Sequence, residues 1–143
     1  MIKIQTWFIY ALLSAFFAAL TAVFAKAGLK NVQADLATAI RTAVILLITW
    51  GIVVFKDLAR ELPAISRNSW VFLVLSAVAT GFSWLFYYRA LQLGRASEVS
   101  AIDKGSIVFT ILLAFFFLKE PLSLKLVAGA GLILAGMMVL VWK

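Results

Sequence analysis

Residues 36–55 read LATAIRTAVILLITWGIVVF, twenty positions with a single charge, Arg41. A helix needs about 20 mostly apolar residues to cross roughly 30 Å of hydrocarbon. This stretch meets that length, and four more runs of the same kind surround it, over residues 7–29, 69–91, 97–118 and 123–142. The connections are short, which favours antiparallel neighbours. The longest, 56–68, holds Pro63 with Lys56, Asp57, Arg60 and Glu61 and reads as a short amphipathic turn. Gly28 and Lys30 close the first run, Gly94 follows the third and Pro121 the fourth. Ser123 is placed to cap the fifth. Trp7, Trp70 and Trp142 stand at run ends, where interfacial aromatics belong. The first run is too long for the 7–15-residue core of a signal peptide. The expected fold is an all-α integral membrane protein, one domain over 1–143 with five transmembrane helices.

Composition agrees. Hydrophobic types make up 65% of the 143 residues and charged types 13%, against roughly 45–50% and 25% in soluble domains. That excludes a soluble globular chain and a disordered one. The chain has no Cys and no His, so disulfide frameworks, nearly all transition-metal sites and imidazole-based triads are excluded. No cofactor, no metal and no enzymatic activity are expected. The net charge is +7, but its Lys and Arg lie between apolar runs, where anionic headgroups rather than nucleic acid are the natural partner.

Two runs are too short without their charges. Only 14 residues separate Arg41 from Lys56, and 14 separate Lys104 from Lys119. Fourteen residues cover about 21 Å, some 9 Å less than the hydrocarbon thickness. Extending both helices N-terminally places Arg41, Asp103 and Lys104 inside the membrane, with Arg41 and Asp103 at about the same depth, ~9 Å in. Ionisable groups there mark functional sites by default. The sequence suggests Asp103 paired with Arg41, with Lys104 competing. The bland alternative is that Arg41 and Lys104 snorkel to the interface, as Lys26 would.

Helical spacing then aligns polar groups: Ser69, Ser76, Thr80, Ser83 and Tyr87 on the third run, Thr38, Thr42 and Thr49 on the second, and Ser100, Asp103, Ser106 and Thr110 on the fourth. Trp84, Phe86, Tyr87 and Tyr88 cluster beside the third stripe and could wall a pocket. The stripes suggest a partly wet cavity; the alternative is that each hydroxyl bonds its own helix. Asp103, Arg41, Lys104, Thr80, Ser83, Tyr87, Ser106, Thr42 and Trp84 are therefore the expected substrate or coupling residues. The first run carries Ala11, Ala15, Ala18, Ala22 and Ala25 in one stripe, which reads as close packing. The fifth carries Ala128, Gly129, Gly131, Ala135 and Gly136 on one face, a small-residue surface suited to a dimer or to packing within one subunit.

Orientation signals cancel. Lys3, Lys56, Arg60, Arg67, Lys119 and Lys125 fall on one side, and Lys26, Lys30, Arg89, Arg95 and Lys143 on the other; Arg41 and Lys104 make it six to seven. A chain without bias can insert both ways. Two opposed copies would reproduce the inverted repeats of many transporters, so an antiparallel homodimer is expected.

The stretch from Tyr88 to Val141 resembles EamA-type members of the drug/metabolite transporter superfamily. The resemblance is carried by Ala90-Leu91, Arg95-Ala96-Ser97, the run Phe116-Phe117-Leu118-Lys119-Glu120-Pro121-Leu122-Ser123, and Gly129-Ala130-Gly131-Leu132-Ile133-Leu134-Ala135-Gly136. The length matches a single five-helix repeat, and Ile102-Asp103-Lys104 resembles a motif of the single-repeat bacterial and archaeal branch. The resemblance implies transport of amino acids or other metabolites by alternating access in a prokaryotic cytoplasmic (inner) membrane. The first run has no acid, so the glutamate-based cation/proton antiport of four-helix relatives is not implied. Anionic or zwitterionic solutes fit the excess of cations. A lipid flippase, or a non-transporting scaffold or accessory subunit, is the alternative.

Overall fold

A computed structural model describes residues 5–142; Lys3 and Lys143, used in the charge balance, lie outside them. Among the described residues there is no strand, and five helical spans are long and apolar enough to cross a membrane: Thr6–Asn31, Ala34–Phe55, Arg67–Leu93, Ala96–Leu118 and Leu124–Val141. The protein is an all-α integral membrane protein. Large apolar side chains cover its outside, with Phe55 and Leu93 each 92% exposed. Such a surface is stable against lipid, not water.

Helix α1 covers Thr6–Gly28 and passes into a 3₁₀ turn, Leu29–Asn31. Helix α2 is Ala34–Phe55, with Asp35 in its first turn, where a carboxylate meets the positive end of the helix dipole. Asp57, in the left-handed region at φ 55°, turns the chain into a 3₁₀ segment, Leu58–Ala64, and binds Arg60 at 3.0 Å. Helix α3 is Arg67–Leu93.

The fourth span is not the continuous helix that its apolar run predicts. Helix α4 ends at Asp103 (Ala96–Asp103), α5 restarts at Ser106 (Ser106–Leu113), and a π turn, Ala114–Leu118, completes the span. Around the break the backbone tightens to i→i−3 bonding: the N–H groups of Lys104, Gly105, Ile107 and Val108 donate to Ala101, Ile102, Lys104 and Gly105. Gly105 permits this. A Cβ there would lie 2.9 Å from the Ile102 carbonyl oxygen and 3.2 Å from Met137 Sδ. The π turn ends at Lys119, left-handed at φ 55°, while the Glu120 N–H donates back to Ala114. Pro121 then cannot continue a helix. Ser123 caps helix α6 (Leu124–Val141), its Oγ accepting from the Leu126 N–H at 3.1 Å, as the sequence predicts.

The chain forms two compact units. One is Ala25–Leu93, a hairpin of α2 and α3 with the end of α1. In it the small residues Ala25, Ala34 and Thr38 are buried, as are Leu29, Tyr88 and Leu91. Tyr88 and Leu91 are 1% and 0% exposed. The other unit joins the chain up to Phe24 with the chain from Gly94 onward. There α6 turns Ala130, Leu134 and Met137 inward, at helical spacing i, i+4, i+7.

Candidate functional site

The hairpin unit holds the most unusual polar arrangement. Arg41 lies seven residues into α2, about 10 Å along its axis. Its guanidinium carbon sits 5.1 Å from the Trp84 ring centroid and 4.8 Å from that of Tyr88. Trp84 and Tyr88 are one turn apart on α3, so they present adjacent rings to one cation. A planar, weakly hydrated guanidinium stacks on such faces better than an ammonium. Tyr87 meets Tyr88 edge-on, with centroids 6.1 Å apart. Among the described residues no carboxylate pairs with Arg41. Its Nη1 is buried without a hydrogen-bond partner, and so is the Tyr88 hydroxyl.

The end of the same hairpin is tied by ordinary polar bonds. Arg89 binds Asp35 through two parallel bonds, Nε to Oδ1 at 3.1 Å and Nη2 to Oδ2 at 2.8 Å. Gln92 donates to the Val32 carbonyl at 2.7 Å. Lys26 donates to the Leu91 and Gln92 carbonyls, closing the C-terminal end of α3 rather than snorkelling away.

The expected site residues meet varied fates. Arg41 and Trp84 come together. The Thr42 and Thr80 hydroxyls donate to their own helices, to Thr38 at 2.8 Å and Ser76 at 2.9 Å, as do Thr38, Thr49 and Thr110. These threonines therefore offer lone pairs outward rather than donors. Ser83 and Ser106 are exposed. In the second unit Asp103 is exposed, and its carboxylate accepts from Lys104 at 3.4 Å. On α6, Ala128, Gly131, Ala135 and Gly136 are exposed, and a Cβ added at Gly129, Gly131 or Gly136 would meet nothing within 4 Å.

The sequence points to Tyr88 only as one of four aromatics that could wall a pocket, not as a substrate or coupling residue. Its i, i+4 spacing to Trp84 was the available signal. Sequence reasoning also counts Arg89 only in the charge balance between the two sides and gives Asp35 no role, because their pairing joins residues 54 apart.

The family model described as the EamA-like transporter family matches residues 5–142. The chain belongs to that family. It is 47% identical over 136 residues to an uncharacterized transporter in the cobO 3' region of Sinorhizobium sp., covering 95% of this chain and 96% of that one. An uncharacterized transporter of Archaeoglobus fulgidus is 36% identical over 69 residues, 48% of this chain and 25% of that longer one. No solved structure matches. The protein is thus an EamA-type membrane transporter of single-repeat size.

Proposed function

We propose that this EamA member carries a small anionic or zwitterionic solute by alternating access, with Arg41 as the solute-binding cation. The observation that supports this reading most is Arg41 itself, held inside a span on Trp84 and Tyr88 with no carboxylate partner among the described residues. An unneutralised charge at that depth is costly, and a solute anion would offset the cost when bound. Asp103, at the break in the fourth span, is the proposed coupling group; discontinuous helices are a recurrent feature of ion and substrate sites in transporters.

The working unit would be an antiparallel homodimer packed through the small-residue face of α6 (Ala128, Gly129, Gly131, Ala135, Gly136), in a prokaryotic cytoplasmic membrane. That face is open, while α6 uses Ala130 and Met137 for contacts of its own unit.

Uptake of radiolabelled amino acids and dicarboxylates into proteoliposomes tests the transport reading. Uptake should fall at least tenfold in Arg41→Gln, and Asp103→Asn should abolish its dependence on a proton gradient. Unchanged coupling in Asp103→Asn at matched protein content would remove that residue's role. The chain lacks cysteine, so Ala135→Cys gives a clean dimer test: oxidation should yield a disulfide-linked pair. A C-terminal reporter should signal from both sides of the membrane; a one-sided signal would exclude opposed insertion.

A further inference from the structure

Two polar atoms in the hairpin unit are buried without partners, and both belong to one contact. Arg41 Nη1 is a cationic donor, and the Tyr88 hydroxyl is a neutral one. The guanidinium lies over the Tyr88 ring, and Tyr88 is 1% exposed. A buried hydroxyl left without a partner costs about 1–3 kcal/mol, and a buried charged donor more. Proteins leave such groups few in number, usually where something else satisfies them.

The rest of the hairpin shows that its polar groups can find partners. Arg89 takes a carboxylate in both arms, Lys26 takes two carbonyls, Gln92 takes one, and Thr38 and Thr42 bond their own helix. Among the described residues, Arg41 Nη1 and the Tyr88 hydroxyl are the only buried side-chain polar atoms without a partner. The two ring faces stack on the Arg41 head and hold it against α3, a contact that snorkelling alone does not call for.

We propose that Tyr88 and Arg41 together form a two-donor oxyanion site, taking the paired oxygens of a carboxylate or phosphate group. One oxygen accepts from Arg41 Nη1 and the other from the Tyr88 hydroxyl, while Trp84 fixes the guanidinium plane. Tyr88 is a specificity residue: a ring alone supports the stack, and the hydroxyl adds a second donor that strengthens the guanidinium's preference for an anion with two acceptor oxygens over a spherical halide. The assignment deepens the transport reading by naming the chemistry of the bound group, yet it concerns binding alone.

The test uses the full chain in phosphate-free maltoside micelles, with Trp84 as the only tryptophan (Trp7, Trp50, Trp70 and Trp142 replaced by Phe). Its emission is followed during titration with acetate, succinate or inorganic phosphate, against chloride at equal ionic strength. A saturable change with the oxyanions and not with chloride is expected. Tyr88→Phe should raise the midpoint about tenfold while leaving the starting spectrum unchanged, and Arg41→Gln should abolish the response. A second arm adds phosphatidylglycerol to the micelles. Saturation by lipid with block of the soluble anions assigns the site to a headgroup; saturation by soluble anions alone assigns it to a solute. No response to either source, or a response that Tyr88→Phe leaves unchanged, overturns the site. Binding without uptake in proteoliposomes would refute transport and leave the site standing; uptake unaffected by Tyr88→Phe, with no fluorescence response, would do the reverse.

Discussion

Arg41 and Asp103 carry the same mark in the sequence, a charge inside an apolar run, yet the protein accommodates them differently. Helix α2 runs through Arg41 without interruption, and α3 supplies two ring faces to its head. The fourth span gives way at Asp103: the helix stops, four N–H groups shift to tighter bonding, and the carboxylate stays exposed beside Lys104. A long, planar cation can reach a partner helix and be covered there. A short carboxylate on a helix that must turn at Gly105 is served only by its neighbour. The first region is therefore fixed by side-chain chemistry and the second by backbone volume. Substitutions should separate the two.

Backbone volume gives the largest expected effect. Gly105→Val should destabilise the protein by about 3 kcal/mol and Gly105→Ala by roughly 1–3, since an added Cβ meets a carbonyl oxygen that cannot rotate away. Met137→Ala, which removes the sulfur, should restore little. In the unbroken α2, Gly51→Ala meets nothing within 4 Å and should stabilise by about 0.5–1 kcal/mol through helix propensity and chain entropy. Thermal unfolding in micelles measures all four. Equal effects at Gly51 and Gly105 would break the contrast.

The side-chain region is read next by a double-mutant cycle. Arg41→Gln and Trp84→Leu should couple by about 1 kcal/mol, the scale of a cation stacked on a partly desolvated ring. Asp103→Asn with Lys104→Gln should couple by less than about 0.5 kcal/mol, because both groups are exposed. Both cycles are measured as unfolding free energies in the same micelles. A larger coupling for the second pair would reverse the comparison.

How far the sequence carried each region follows from the range of the forces involved. Five spans are legible because lipid imposes a length and a polarity on every crossing segment. The Ser123 cap and the Pro121 stop are legible because they act over three or four residues. The break at Asp103 was not, since an apolar run does not show where the backbone tightens to i→i−3 bonding around a residue without a Cβ. Arg41 is marked by its depth, whereas Tyr88 is marked only as a member of the aromatic cluster beside the polar stripe. The polar stripe drew attention to Ser83 and Tyr87, whereas the cation took the neighbouring face. Hydroxyl stripes promised donors to a cavity, and self-bonding by Thr42 and Thr80 withdrew them.

The smallest effect concerns two ion pairs of different build. Arg89 and Asp35 join α3 to α2 through two parallel bonds, while Asp103 and Lys104 are chain neighbours at 3.4 Å. Geometry favours the first, because a fork-shaped donor holds a carboxylate in one orientation. Both of its side chains are more than half exposed, at 58% and 56%, so solvent and salt screen it strongly. The pair should couple more weakly than Arg41 with Trp84 in a cycle of Asp35→Asn with Arg89→Gln. Most of the pair's coupling should disappear in 1 M NaCl, where the screening length falls to about 3 Å. The Arg41–Trp84 coupling should survive the same salt, because its cation is covered by rings rather than by water. Loss of both couplings together would mean that Arg41 is as open to solvent as Arg89, and the distinction between the covered cation and the exposed charges would fail.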